Sequence, residues 1–306
     1  MTLTVGRMSG FATIQDRGRP GYRADGVPPC GAMDIVSLER ANALVGNGGA
    51  AAAIEWALAG GTLRFSASAV VAVTGPDIEL TRNSAMLSTN VAVEFGRGDE
   101  LAIGRLVRGT YAYIAVRGGF DVPVVLGSRS TYLPAGFGGL EGRRLRAGDV
   151  LAIGFAAKVR SKPKTPRDSG PAGGEATAIR AVEGPNTAAF SRAFAKSFWA
   201  SEFTLSPASN RTGYRLERES DSGPPDRSAV SEPACVGAIQ VPDGASAIVL
   251  MPDGPTVGGY PKIGVVASVD IPALAQRMPD DTVRFERITV EEAQRLLRER
   301  RSLAGR

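Results

Sequence analysis

The sequence predicts a mainly β chain with a few helices, and three observations carry that expectation. Glycine accounts for 38 of 306 residues, well above its ordinary share of about 7%, and it is spread along the chain with no collagen or linker period. Between the glycines lie short β-branched or aromatic runs, at 62–65, 69–74, 111–116, 247–251 and 263–269, as in closed or sandwiched antiparallel sheets. One turn-and-strand unit also repeats. Arg97-Gly98-Asp99-Glu100-Leu101-Ala102-Ile103-Gly104 returns as Ala147-Gly148-Asp149-Val150-Leu151-Ala152-Ile153-Gly154, and repeated units of this kind suit a barrel.

Three helices are expected among the strands. Asp34 can cap one in which Leu38, Ala41, Leu44 and Val45 share a face and Gly46 provides the stop. Phe190, Phe194 and Phe198 recur at spacing four, which predicts an amphipathic helix within 190–203 with a buried aromatic stripe. Thr289 and Glu292 form a capping box for the last helix, whose Ala293, Leu296 and Leu297 face inward.

With 43% hydrophobic residues the chain can bury two ordinary cores. The stretch 156–178 is rich in Lys, Pro, Gly and Ser and nearly free of large apolar residues, so the halves are placed at 1–157 and 178–306 with a basic linker at 158–177. A second polar stretch, 217–231, reads as a long loop. Across the linker the sequence echoes itself. Gly21-Tyr22-Arg23 followed by Cys30-Gly31-Ala32-Met33 has a counterpart in Gly213-Tyr214-Arg215 followed by Cys235-Val236-Gly237-Ala238-Ile239.

Composition removes several function classes. The chain has no histidine, which excludes histidine metal sites, a histidine general base and the Ser-His-Asp and Cys-His nucleophile arrangements. Two cysteines, Cys30 and Cys235, are too few for a structural zinc cluster and fit a reducing compartment. No metal site is expected. The net charge of +5 sits mostly in two places, a balance of +4 at 156–180 and +3 at 284–306. No aromatics are interleaved with those charges, so nucleic-acid binding is not expected. No apolar run approaches the roughly 18 residues a spanning helix needs, and the chain reads as soluble and cytoplasmic, without a membrane role.

Lysine is rare beside arginine, five against thirty-one, and three of the five lie in the linker. Lys262 therefore stands out. It follows Asp253-Gly254-Pro255-Thr256-Val257-Gly258-Gly259-Tyr260-Pro261, a loop that could present an ammonium and a phenol to an oxyanion. The same string also reads as a hairpin turn with a solvated lysine. In the first half, Thr13-Ile14-Gln15-Asp16-Arg17-Gly18-Arg19, Arg117-Gly118-Gly119-Phe120-Asp121 and Gly127-Ser128-Arg129-Ser130-Thr131 are glycine-flanked arginine loops. Arginine forks bind carboxylates bidentately, and Asp16 or Asp34 could accept a proton from an amide or a water. Singly, each loop also reads as a turn with a surface Arg–Asp pair. No phosphate loop is present, nor any Met-Lys pair of the kind that carries biotin. ATP or tethered biotin, if used, comes from another polypeptide.

These strings, with Pro29-Cys30-Gly31-Ala32-Met33-Asp34, Ala41-Asn42-Ala43-Leu44-Val45-Gly46-Asn47, Gly237-Ala238-Ile239-Gln240-Val241-Pro242 and Gly258-Gly259-Tyr260-Pro261-Lys262, resemble the biotin-dependent carboxyltransferase-like family. It is also called the allophanate hydrolase subunit 2 family, and the resemblance runs from about Thr13 to Phe285. The family includes the C subunit of bacterial 5-oxoprolinase and the carboxyltransferase domain of urea carboxylase.

The resemblance implies two cyclophilin-like β-barrel halves and a role inside a hetero-oligomer, inactive alone, with a B-type and an A-type subunit. It implies ATP-dependent hydrolysis of the 5-oxo-L-proline lactam to L-glutamate, with ATP used by the complex. Carboxyl transfer from a separate biotinylated carrier to urea or a related amide is the alternative, and a regulatory role bound to a kinase-inhibitor-like B subunit is another. Carried onto this chain, the matching motifs make Asp34, Tyr260 and Lys262 catalytic candidates. Substrate-binding candidates are Gln15, Asp16, Arg117, Ser128, Arg129, Arg211, Gln240 and Thr256. In the implied scheme Arg129 or Arg211 holds a carboxylate, Asp16 or Asp34 orients the ring amide, and Tyr260 with Lys262 stabilises charge on the carbonyl or phosphoryl oxygens. Around Asp253 the chain reads Met251-Pro252-Asp253-Gly254-Pro255-Thr256-Val257, where the resemblance leads one to expect a more polar stretch.

Overall fold

A computed structural model describes residues 1–155, 178–219 and 230–304. The linker expected at 158–177 and most of the 217–231 loop lie outside the described residues. What is described divides into two compact units, residues 1–19 with 30–155, and residues 20–29 with 178–304. The second unit thus takes in 20–29, which the sequence reading places in the first half. Pro20 at one end of that segment and Pro28-Pro29 at the other lack the N–H a ladder needs, and the segment joins no sheet of unit 1.

Unit 1 runs β1 (Thr2–Met8), β2 (Phe11–Gln15), α1 (Ile35–Val45), β3 (Ala53–Ala57), β4 (Gly61–Phe65), β5 (Ala69–Thr74), β6 (Asp77–Arg82), β7 (Ala85–Leu87), β8 (Ala92–Phe95), β9 (Glu100–Arg108), β10 (Tyr111–Val116) and β11 (Val150–Ala152). These strands form two sheets, ordered β11-β1-β4-β9-β6-β7 and β2-β3-β10-β5-β8. Leu3, Val5, Leu63, Phe65, Leu101 and Ile103 of the first sheet pack on Ile14, Ile54, Trp56, Val71, Ile114 and Phe95 of the second. Side chains alternate along a strand, so the odd residues of β3 and β10 point the other way. Glu55, Tyr113 and Thr74 are cross-strand partners on that second face. Its cover is α1, which packs on β5 and β10.

The repeated unit folds the same way twice. Gly98 and Gly148 both take left-handed φ, 87° and 91°, and the following aspartate accepts the amide of Gly96 or of Arg146 at 2.7 Å. An arginine then braces each aspartate, Arg82 on Asp99 and Arg143 on Asp149. These contacts hold both carboxyl groups below the usual aspartate range. The strands that leave the turns, β9 and β11, belong to one sheet.

Unit 2 runs β12 (Ile179–Glu183), α2 (Arg192–Ala200), β13 (Glu202–Leu205), β14 (Gly213–Glu217), β15 (Glu232–Pro233), β16 (Ala238–Gln240), β17 (Ser246–Leu250), β18 (Val257–Gly258), β19 (Lys262–Val266), α3 (Ile271–Ala275), β20 (Thr282–Arg287) and α4 (Val290–Ala304). Seven strands close a barrel in the order β12-β19-β16-β17-β14-β13-β20, and β15 pairs with β18 as a separate ribbon. The chain is therefore mainly β, with barrel closure by hydrogen bonds in unit 2 and a two-sheet arrangement in unit 1.

All three expected helices form. Asp34 caps α1 by accepting the Ser37 amide at 3.0 Å, and Gly46 ends it at φ 77°. Phe190, Phe194 and Phe198 are buried, with ring centroids 5.4 and 6.4 Å apart, although α2 itself begins only after the cap at Ser191. Arg218 lies across Phe194, Phe198 and Phe203, its guanidinium carbon 5.2 to 5.6 Å from the three centroids. In α4, Glu292 donates its amide to Thr289 Oγ1 at 3.2 Å, whereas its carboxylate turns to Arg295. Ala293, Leu296 and Leu297 are half-buried. The echo across the linker is partial. Gly31 and Gly237 share a left-handed φ of 89° and 88°, but Gly213-Tyr214-Arg215 is strand while Gly21-Tyr22-Arg23 leads into a 3-10 turn at Arg23–Asp25.

Candidate functional site

Chemistry-bearing side chains gather in two places, one in each unit. In unit 1 the loop after β2 and the loop at 127–131 are bound together through Asp16. Its Oδ1 accepts from the Gly18 amide at 2.7 Å and from the hydroxyls of Ser128 and Ser130 at 2.6 Å each. Its Oδ2 accepts the Arg129 amide at 2.6 Å. Four donors fill the carboxylate, which is 7% exposed. The expectation that Asp16 orients a substrate amide is corrected on that ground, for it ties the two loops together, and Ser128 shares that task. Gln15 extends the contact by donating to Thr13 Oγ1 and to the Thr131 carbonyl.

Asp34 is also corrected. It is fully buried, and its oxygens accept the amide and the hydroxyl of Ser37 at 3.0 and 2.6 Å, so it is a helix cap. Arg117 stands apart from the Asp16 lock. Its Nε donates to the Val45 carbonyl at 3.0 Å, placing a cation at the C-terminus of α1 where the helix dipole favours it. Arg129 donates Nε to the Val122 carbonyl and lies 3.7 Å from Asp121.

Beneath α1 lies an acid the sequence reading missed. Glu55 Oε2 accepts the Met33 amide at 2.8 Å and the Tyr113 hydroxyl at 2.7 Å, while that hydroxyl accepts the Asp34 amide. Burial, with the carboxylates of Glu55 and Asp34 close by, pushes the Tyr113 phenol well above its ordinary range. A lone acid inside Ala52-Ala53-Ile54-Glu55-Trp56-Ala57 was a readable signal, because a carboxylate in an apolar strand must find partners in the core.

In unit 2, Lys262 opens β19 with its side chain only 3% exposed, so the solvated-turn reading does not describe it. Nζ donates to Glu232 Oε1 at 2.6 Å, and the Lys262 amide donates to Asn186 Oδ1 at 2.8 Å. The lysine contact holds the Glu232 carboxyl below its usual range. Glu232 comes from β15, whose partner β18 brings Gly258 opposite it. Gln240 is the register partner of Lys262 across a bulge in the β16–β19 pair. Its Nε2 is buried and has no hydrogen-bond partner among the described residues. A Cβ on Gly258 would come within 2.5 Å of that nitrogen.

Tyr260 is half exposed, and Thr256 is buried with its carbonyl accepting the Ala234 amide at 2.9 Å. Arg211 makes a two-pronged contact with Asp253, 2.8 and 2.9 Å, with both side chains nearly sealed. Arg211 is therefore paired inside the protein, and the expectation that it holds a substrate carboxylate is replaced by a role in fixing the 251–256 loop. Thus Lys262 and Gln240 meet as adjacent N–H donors, with Glu232 and Asn186 as unforeseen supports. Glu232 sits thirty positions from its lysine at the edge of a polar loop, and nothing local in the sequence marks it.

Comparison with known proteins now bears on this arrangement. The family described as carboxyltransferase domain, subdomain A and B, matches residues 25–287. The chain belongs to this family. It is 39% identical to the C subunit of 5-oxoprolinase from Escherichia coli strain K12, over 95% of this chain and 93% of that one. The corresponding 5-oxoprolinase chain of Haemophilus influenzae is 37% identical over 94% of this chain and 91% of that one. Among solved structures, the Kluyveromyces lactis urea amidolyase superposes with a TM-score of 0.89 at 30% identity, over 99% of this chain and 20% of the amidolyase. This chain thus spans a fifth of that larger protein. No helix among the described residues is long and apolar enough to cross a membrane.

Proposed function

We propose that this chain is a subunit of an ATP-dependent 5-oxoprolinase complex, acting with B-type and A-type subunits to hydrolyse the lactam of 5-oxo-L-proline to L-glutamate. The observation that carries the reading is the 39% identity spanning 93% of the E. coli 5-oxoprolinase chain. The Lys262–Gln240 arrangement suits such chemistry. One N–H of the Lys262 ammonium goes to Glu232, which leaves two for a ligand, and the unpaired Gln240 Nε2 is a further donor.

In this mechanism the complex uses ATP to phosphorylate the lactam oxygen. ADP leaves, water adds to the activated carbon, the C–N bond breaks as the nitrogen takes a proton to become the amine, and a second water hydrolyses the resulting acyl phosphate to L-glutamate and phosphate. Lys262 and Gln240 donate to the oxygen on which charge develops, and the exposed Tyr260 phenol adds a third donor beside the same ribbon. Glu232 holds the lysine in place. In the assembled complex Lys262→Ala is expected to lower kcat by about a hundred- to a thousand-fold. An unchanged rate would overturn the assignment.

A second reading is favoured by the amidolyase superposition: carboxyl transfer to a small amide with biotin on a separate protein. It makes turnover dependent on a biotinylated carrier. The oxoprolinase reading expects activity to be indifferent to avidin, and inhibition by avidin would transfer support to carboxyl transfer.

A further inference from the structure

Arg19 is a residue to which no function has so far been given. Only 1% of it is exposed. Its Nε donates to the Val125 carbonyl at 3.3 Å, its Nη2 donates to the Ser130 carbonyl, and its guanidinium carbon lies 4.9 Å from the centre of the Phe137 ring. All of these belong to unit 1. No carboxylate among the described residues pairs with it. The acid closest in sequence, Asp16, is filled by Gly18, Ser128, Ser130 and Arg129. Nη1 is buried and has no hydrogen-bond partner among the described residues.

A guanidinium cannot give up its proton at ordinary pH, and sealing it from water without a counter-charge is costly. Neutral carbonyls on one side satisfy its hydrogen bonds only in part. The surroundings nevertheless look built to hold it. A Cβ on Gly138 would come within 2.0 Å of the Ser130 carbonyl and 2.9 Å of Arg19 Nη2, so a side chain at 138 would collide with the carbonyl that accepts from Arg19. Close by, Gln15 Nε2 is fixed on the carbonyl of Thr131, the residue after Ser130, while Gln15 Oε1 is buried without a hydrogen-bond partner among the described residues.

We infer that Arg19 is the oxyanion receptor of unit 1 and that its ligand is a small carboxylate, taken on the free Nη1 edge. Gln15 Oε1 is suited to accept an N–H of the same class of ligand. A molecule bearing both a carboxylate and an amide N–H, such as a lactam acid, matches the pair. A carboxylate-free amide such as urea does not. The inference concerns binding alone and holds whether or not the complex performs the lactam hydrolysis proposed above.

The test is calorimetric titration of the full chain with two probes, 5-oxo-L-proline and 2-pyrrolidinone, which is the same ring without the carboxylate. The wild-type chain is expected to bind the acid at least tenfold more tightly. Arg19→Lys keeps the charge but loses the planar fork, and it is expected to abolish that preference while leaving affinity for 2-pyrrolidinone unchanged. Equal affinity for the two probes in the wild type, or an intact preference in a folded Arg19→Lys chain, would overturn the inference. Should that variant not fold, a crystal of the wild-type chain soaked in 5-oxo-L-proline decides. The carboxylate within hydrogen-bond reach of Arg19 Nη1 supports the inference, while a water there with the carboxylate elsewhere, or no bound acid, refutes it. Preference for the acid without lactam turnover by the complex would remove the oxoprolinase reading and leave this one standing.

Discussion

At the scale of single residues, ion pairing rather than exposure sets what each charged group can do. Lys262 and Arg211 are both nearly sealed, yet the arginine is occupied through two hydrogen bonds and the lysine through one. The lysine is the group to which the proposed function gives a ligand. It also gives Glu232 a pH signature. The lysine holds its carboxyl below the usual range, so the folded state binds fewer protons than the unfolded chain in mild acid. The resulting stabilisation is complete above the unfolded pKa of about 4.3 and disappears as pH falls through the lower folded value. Denaturant midpoints of wild type and Glu232→Gln are therefore expected to differ by a constant amount at neutral pH and to converge in acid. A gap that widened on acidification would contradict the pairing. The lysine was readable in the sequence because lysine is so scarce, and Arg19 stood in a glycine-flanked arginine loop, whereas Glu232 and the sealing of Arg19 were hidden. The first depends on a ribbon that pairs distant segments, the second on Asp16 being filled by donors from a loop more than a hundred residues away.

Elements were more legible than sites, and α1 shows why. Its cap, its stop and its inward face are all local to twelve or so residues, so periodicity and end signals suffice to find it. The strand runs at 69–74 and 111–116 coincide with β5 and β10 for the same reason. Which strands pair was not local information. The twin Gly-Asp turns foretold β9 and β11 but not that both would lie in one six-stranded sheet beside a separate five-stranded one. The capping reading of Asp34 was also made from the sequence, alongside a catalytic one, and the Ser37 amide and hydroxyl on its two oxygens support the cap. Asp34→Ala should destabilise unit 1 by about 1 kcal/mol, within a range of roughly 0.5–2, and Asp34→Asn by less, since an asparagine can still cap. Urea unfolding followed by circular dichroism measures this. Equal loss from both substitutions would mean that the charge, rather than the cap, is what matters there.

At the scale of the whole molecule, the sequence conveyed the mainly β character and the twofold organisation through glycine, short runs and the basic stretch. It did not convey that residues 20–29 belong with the second unit, because a proline-bounded excursion looks locally like any loop. Nor could composition choose among the family's reactions. The architecture is shared, with a TM-score of 0.89, by part of a urea amidolyase, and function resides in the site rather than the fold. The most direct test of the central claim is release of glutamate and phosphate from 5-oxo-L-proline and ATP by purified A-type and B-type subunits, with and without this chain. The account predicts both products only when this chain is present. Equal release in its absence, or none from a fully assembled and folded complex, would contradict it.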